Sequence, residues 1–118
     1  MQDNVEPELE VTVVREGGAT VVAVSGELDA ASAPDLVGPL EEAQRTAEAL
    51  VLDLTGCEFV DSTGLHAIID ARAAVEARGG RFALCCSADG AVARVMEVAL
   101  PGMIELYPTR EAALASLV

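Results

Sequence analysis

The sequence predicts a single α/β domain in which one mixed β-sheet is covered by helices. The supporting observations are a pair of strand patterns joined by a glycine turn, a buried apolar strand in mid-chain, and helical patterns that alternate with the later strands. Strands joined by a tight turn are antiparallel, whereas strands connected through a helix run parallel. We therefore expect about five strands and about four helices in the order β-β-α-β-α-β-α-β-α.

Size and charge limit the possible functions. The 118 residues are 52% hydrophobic, which fits one domain with a buried core. Twenty acidic residues oppose seven basic ones, all of them arginine, and the net charge is -13. Because such a field repels nucleic acid and anionic membranes, we expect neither as a partner, and we expect a partner with a basic face.

Targeting and cofactor patterns are missing from the sequence. No apolar run approaches the roughly 20 residues that span a bilayer, and the first residues do not resemble a signal peptide, so we expect a cytoplasmic protein. The cysteines are odd in number and form no C-x-x-C, and there is one histidine; they are Cys57, Cys85 and Cys86. We expect buried reduced thiols, no metal site and no cofactor.

The first strands form a predicted hairpin. Residues 1–7 are polar, and we expect them to be flexible, with the domain covering residues 8–118. Apolar residues then alternate with polar ones, as in a half-buried strand, at Leu9, Val11 and Val13. Gly17-Gly18 supplies the turn and Thr20 to Ser25 the returning strand. The segment from Gly26 to Asp29 is expected to leave the sheet.

A helix and a buried strand follow. Ser32, Pro34 and Asp35 form a helix-start pattern, and an apolar stripe continues towards Ala49 through Leu36, Leu40, Ala43 and Ala47. Val51 to Leu54 is a short apolar run that ends at Thr55-Gly56. We expect this run to be a parallel strand buried on both faces.

The remaining elements alternate helix and strand. A helix is expected from about Ser62 to Arg78, ended by Gly79-Gly80, and a strand from Arg81 to Cys86. The next helix would be capped by Ser87 or Asp89, and its inward face would comprise Val92, Val95, Met96 and Ala99.

The chain ends with a strand and a helix. Pro101-Gly102 breaks the preceding helix, and Met103 to Leu106 is the predicted last strand. Pro108-Thr109 opens a terminal helix, whose expected inward residues are Leu114, Leu117 and Val118.

The stretch from Asp61 to Gly64 places small polar side chains at a helix entrance. Asp61 is the predicted N-terminal cap, and Ser62 and Thr63 fall in the first turn, where free amides and the helix dipole favour an added anion. A hydroxyl there can be phosphorylated without loss of the fold. The alternative is an ordinary cap that is never modified.

These residues carry a resemblance to a known family. The sequence D-S-T-G-L at residues 61–65, after an apolar strand, resembles the phosphorylation motif of STAS-domain anti-sigma factor antagonists. The sequence G-E-L-D at residues 26–29 resembles the stretch that closes the second strand in that family. Gly79-Gly80, the following strand and a helix carrying Arg94 fit more weakly. The resemblance covers about residues 8 to 117.

The resemblance implies a protein-binding switch rather than an enzyme. Its unmodified form would bind an anti-sigma factor serine kinase and release the sigma factor, phosphorylation of Ser62, or alternatively Thr63, would end binding, and a phosphatase would restore it. The implied partner-binding residues are Asp29, Asp61, Ser62, Thr63, Gly64 and His66. Asp29 could instead satisfy its own turn, and Arg94 could lie on a solvated helix face.

Other functions are less well supported. Ser62 and His66 lie on one helix face, but no G-x-S-x-G or orienting third group supports a hydrolase. Asp53 at a strand end resembles the position used in response-regulator receivers, but the chain lacks their lysine. A STAS adaptor or ligand-binding module without phosphorylation remains open. Ala99 to Gly102 also departs from the family's usual turn after the third helix.

Overall fold

The computed structural model describes residues 9–118. The expectation of a flexible segment at residues 1–7 lies outside them. The order of elements agrees with the predicted fold class. The strands and helices are β1 (Leu9–Glu16), β2 (Ala19–Leu28), α1 (Ala33–Thr46), β3 (Ala49–Val60), α2 (Ser62–Ala77), β4 (Arg81–Cys85), α3 (Ala91–Ala99), β5 (Leu106–Tyr107) and α4 (Arg110–Ser116).

The strands form one mixed sheet in the spatial order β1-β2-β3-β4-β5. β1 and β2 are antiparallel, as expected for a hairpin, and each later pair is parallel because a helix connects its strands. Leu50, Leu52 and Leu54 of β3 face a core shared with α1, α2 and α3, while Val51 faces a smaller core under α4. Three helices therefore cover one face, and α4 covers part of the other.

β2 and β3 are longer than expected. They remain paired to Leu28 and Val60, across register shifts between Ala23 and Ser25 and between Gly26 and Glu27. The predictions that residues 26–29 leave the sheet and that β3 ends at Gly56 were therefore wrong. A Cβ at Gly56 would lie 2.9 Å from the Cβ of Ser25, so the glycine here allows close strand approach instead of ending the strand.

Several boundaries and faces also differ from expectation. α1 ends at Thr46, not near Ala49, because the backbone at Ala47 is already extended. Burial falls along β1 from Leu9 at 4% exposure to Val13 at 48%, since β1 is an edge strand that the helices cover only at its start. Val118 follows the last helix and is exposed, so its predicted inward position was wrong.

The region around α3 and β5 shows the largest local corrections. Gly90 precedes α3 and no side chain caps it, so neither Ser87 nor Asp89 is the cap. The buried residues of this short helix are Val92, Ala93 and Met96, whereas Ala99 in its last turn is exposed. The last strand is Leu106–Tyr107 and not Met103 to Leu106, because the chain turns through residues 101–104 before it pairs with β4.

Candidate functional site

The predicted site lies where β2 and β3 end side by side. Leu28 and Val60 are paired at the ends of the two parallel strands, and the Asp61 amide donates to the Leu28 carbonyl at 3.1 Å. Carboxyl ends of parallel strands share one edge of a sheet. The loop that begins at Asp29 and the helix start at Asp61 are consequently neighbours, although they are 32 residues apart in the chain.

Asp61 caps α2, as the sequence predicted. Its Oδ1 accepts hydrogen bonds from the Thr63 amide at 2.9 Å and the Gly64 amide at 3.2 Å. These are two of the amides that a helix leaves unpaired at its start. Their occupation corrects the expectation that the first turn offers them freely to an added anion.

Ser62 is the first residue of α2, and its side chain is exposed. Thr63 beside it is exposed as well. His66 lies one turn further along and is also exposed, but within residues 9–118 no hydrogen bond joins it to Ser62. The arrangement presents an accessible alcohol without the hydrogen-bonded base that a serine hydrolase uses.

Gly64 contributes to the site through its missing side chain. It is buried, and a Cβ placed on it would lie 2.6 Å from Cγ2 of Val60 and 2.7 Å from Cγ of Leu28. Such distances are too short for real contacts, so only glycine allows the start of α2 to reach the strand ends. Gly64 thereby sets the position of Ser62 relative to β2.

The loop after β2 is held by reciprocal hydrogen bonds between Asp29 and Ser32. Oδ1 of Asp29 accepts from the amides of Ala31 and Ser32, both at 3.0 Å, and the Ser32 hydroxyl accepts from the Asp29 amide at 3.0 Å. Asp29 therefore does satisfy its own turn, one of the two roles expected for it. Its side chain is half-buried.

Ser32 is a residue whose role the sequence did not reveal. Its hydroxyl does not cap α1, although the S-x-x-D pattern suggested a helix start there. Instead it donates to the Glu27 carbonyl at 2.6 Å and is buried, at 2% exposure. The D-x-x-S spacing from Asp29 to Ser32 was the available signal, because short polar side chains at this separation can bond each other's amides.

The chain segments that form this edge carry acidic residues but no arginine. Residues 25–40 and 54–71 contain no arginine. Their charged residues are Glu27, Asp29, Asp35, Glu58, Asp61 and Asp70. The local segments thus supply no arginine to pair with an anion attached to Ser62.

Comparison with known proteins identifies the family. The STAS domain model matches residues 10–113. The chain belongs to the STAS domain family. It is 28% identical, over 102 residues that make up 85% of each chain, to an anti-sigma F factor antagonist of Paenibacillus polymyxa.

Solved structures agree with this assignment. An anti-sigma factor antagonist from Mycobacterium paratuberculosis superimposes with a TM-score of 0.81 at 28% identity, over 96% of this chain and 97% of that one. The Bacillus cell fate determinant SpoIIAA in its phosphorylated form superimposes with a TM-score of 0.68 at 19% identity, over 92% of this chain and 100% of that one. At this lower identity the likeness concerns the fold alone.

A second polar cluster of this STAS domain lies on the face of the sheet that α4 covers. Asp53 is buried, and its Oδ1 accepts from the Thr55 amide at 2.9 Å and the Thr55 hydroxyl at 2.7 Å. Nε of Arg110 donates to Oδ2 of Asp53 at 2.8 Å, and Nη1 of Arg110 donates to Glu16 at 3.0 Å. Arg110 thereby ties α4 to the sheet.

The pKa of Asp53 reflects these contacts. Burial alone would raise it, but hydrogen bonds from Thr55, Arg110 and the Cys85 thiol more than offset burial and hold the pKa below its usual value of 3.8. The buried carboxylate is therefore charged at neutral pH. Asp53 lies within β3 and forms a structural ion pair with Arg110.

The cysteines of the STAS domain are free and buried, as predicted. Burial raises the pKa of Cys57 and of Cys86, and burial together with the nearby Asp53 charge raises the pKa of Cys85 to about 12. Within the described residues no cluster of three or more potential metal ligands occurs. No helix among them is long and apolar enough to cross a membrane.

Proposed function

We propose that this STAS domain is an anti-sigma factor antagonist that phosphorylation of Ser62 switches off. Its unmodified form binds an anti-sigma factor serine kinase, so that the sigma factor is released, and the phosphorylated form lets the kinase go. The observation that carries the proposal is the exposed Ser62 hydroxyl at the start of α2, beside the Asp29 loop. The curated and structural relatives named as anti-sigma factor antagonists support it.

Electrostatics explains why a phosphate at Ser62 would end binding. Phosphorylation adds about -1.5 to -2 charges to a region whose own segments already contain six acidic residues and no arginine. Because Asp61 occupies the Thr63 and Gly64 amides, the new group meets a neighbouring carboxylate first. Burying such an uncompensated dianion in an interface costs several kcal/mol in order of magnitude.

The fold should persist through the modification. The cap of α2 is built from the Asp61 carboxylate and backbone amides, and the Ser62 side chain takes no part in it. A phosphate on Ser62 is therefore added outside the packed core. A phosphatase can remove it and regenerate the binding form.

The other site residues have supporting roles in the proposal. Asp29 and His66 contact the kinase from the loop after β2 and from the next turn of α2, and Asp61 and Gly64 set the position of the acceptor. Thr63 contributes to the contact surface and is the alternative acceptor, since its side chain is exposed too. The domain supplies only the acceptor hydroxyl, and the kinase catalyses transfer of phosphate from ATP. Both proteins act in the cytoplasm.

Mass spectrometry with purified components tests the proposal. The full chain is incubated with ATP and with each serine-kinase anti-sigma factor of the source organism, and binding is measured in parallel. One phosphate on Ser62 is expected with a cognate kinase, and Ser62→Ala should abolish it. Thr63→Ala is the matched control and should still be modified. Ser62→Asp should weaken kinase binding at least tenfold, or about 1.4 kcal/mol.

The outcomes separate the possible functions. Phosphate on Thr63 in both the wild type and Ser62→Ala would move the acceptor by one residue. If no kinase modifies the wild type, and Ser62→Asp binds every tested partner as tightly as the wild type does, the proposal that phosphorylation of Ser62 controls binding is wrong. The chain would then be an unphosphorylated STAS adaptor or ligand-binding module.

A further inference from the structure

We propose that Ser32 is a positioning residue for the kinase-binding surface, because its buried hydroxyl fixes the loop that presents Asp29 beside Ser62. The inference rests on the proposed function and adds a residue to it that is not exposed itself. Ser32 does not contact the partner in this scheme. It acts through the backbone of the loop between β2 and α1.

The contacts of Ser32 close the loop at both ends. Its hydroxyl donates to the carbonyl of Glu27, within β2, at 2.6 Å and accepts from the amide of Asp29 at 3.0 Å. Its own amide donates to Oδ1 of Asp29 at 3.0 Å, and the amide of Ala33 donates to the Asp29 carbonyl at 2.8 Å. One hydroxyl thus connects the strand, the acidic residue and the helix start.

The same loop is joined directly to the phosphoacceptor. Leu28 lies between the two residues that the Ser32 hydroxyl holds, and its carbonyl accepts from the Asp61 amide at 3.1 Å. The Leu28 side chain also packs where a Cβ on Gly64 would be, 2.7 Å from that position. Movement of Leu28 would therefore change where Asp29 lies relative to Ser62.

The chemistry at this position requires a group that donates and accepts at once. A serine hydroxyl does both, whereas alanine does neither, so Ser32→Ala would lose the hydrogen bond to the Glu27 carbonyl and the one from the Asp29 amide. A cysteine fills nearly the same space but hydrogen-bonds weakly. Neither substitution touches the Ser62 hydroxyl or its Asp61 cap.

The experiment measures phosphorylation of the full-length variants by a kinase that modifies the wild type. For Ser32→Ala we expect the KM for the domain to rise roughly tenfold while kcat stays within about twofold, since docking is impaired and the acceptor is intact. Ser116→Ala is the matched control, because it also removes a hydroxyl that donates to a backbone carbonyl, at 2.7 Å in α4, far from the site in the chain. It should keep the wild-type KM.

Folding and function are kept apart in the test. Circular dichroism is used to choose an assay temperature at which each variant is folded. If Ser32→Ala does not fold, Ser32→Cys is measured in its place. A wild-type KM in a folded Ser32 variant would overturn the positioning role and leave the switch intact. Failure of every kinase to modify the wild type would instead remove the proposed function and this inference with it.

Discussion

The two polar clusters of this domain treat charge in opposite ways. On the face covered by α4, buried Asp53 is neutralised by Arg110, which also contacts Glu16, so the charges are paired inside the molecule. At the edge that carries Ser62, the contributing segments bring acidic residues and no arginine. The first cluster stabilises the fold, and the second presents acidic groups that a basic partner surface can contact.

The aspartates of the two clusters differ in what holds them. Asp53 lies in the sheet, is 5% exposed and has donors on both oxygens, including a cation. Asp61 follows its strand, is partly exposed and is held by backbone amides. An acid neutralised within the chain is costly to disturb, whereas an acid held only by amides can face an incoming basic group.

The largest expected effect comes from breaking the ion-pair cluster of Asp53, Arg110 and Glu16. Arg110→Ala leaves the Asp53 carboxylate buried without its cation, and we expect a loss of about 2–3 kcal/mol in the free energy of unfolding, reduced from a fully buried pair because Arg110 is a third exposed. Urea denaturation measures it. Arg45→Ala removes an exposed pair with Glu42 and should change stability by less than about 0.5 kcal/mol.

The pH dependence gives this prediction a second check. The pKa of Asp53 is lowered in the folded state, so its contribution to stability is present above the unfolded value near 3.8 and is lost as the pH falls below it. The stability difference between wild type and Arg110→Ala should shrink over the same range. A difference that stays constant through pH 3.8 would mean that the ion pair is not what Arg110 contributes.

The next effect concerns the packing that positions the start of α2, which carries Ser62. Gly64→Ala forces a methyl group into Leu28 and Val60, and overpacking of this kind costs about 1–3 kcal/mol. Gly38→Ala is the control, because Gly38 is exposed in α1 and has nothing within 4 Å of its Cβ position apart from its chain neighbours. Alanine favours the helix there but is disfavoured before Pro39, so the free energy of unfolding should change by less than about 1 kcal/mol. Equal effects of the two changes in thermal unfolding would show that Gly64 is not constrained.

Much of the fold followed from local patterns in the sequence. Hydrophobic periodicity and glycine turns predicted the element order, and the helix from Ser62 to Arg78 was placed within a residue of its observed end. Strand ends were less predictable. β2 and β3 continue past Gly26 and Gly56 because pairing between two distant segments outweighs the local turn preference of glycine, and pairing partners are not visible in one strand's sequence.

The site was predictable to the extent that it is local. Asp61, Ser62 and the helix start are adjacent in the chain, so their capping geometry could be predicted from residue type and spacing. Ser32 and Gly64 were harder to interpret, since Ser32 bonds to Glu27 and Gly64 packs against Leu28, and both partners lie on β2. The ion pair of Asp53 and Arg110 joins residues that are 57 positions apart, so no local sequence pattern predicts it.

The smallest effect sharpens the comparison between the clusters. Asp61→Ala removes the α2 cap, and we expect a loss of about 1 kcal/mol in the free energy of unfolding, less than for Arg110→Ala. Asp61→Asn retains a side-chain oxygen for the Thr63 and Gly64 amides and should cost less than about 0.5 kcal/mol. Chemical denaturation of both variants measures the two losses. If Asp61→Asn proved as costly as Arg110→Ala, the charge of Asp61 would be needed for folding, and the contrast between a paired structural acid and an acid left for a partner would be wrong.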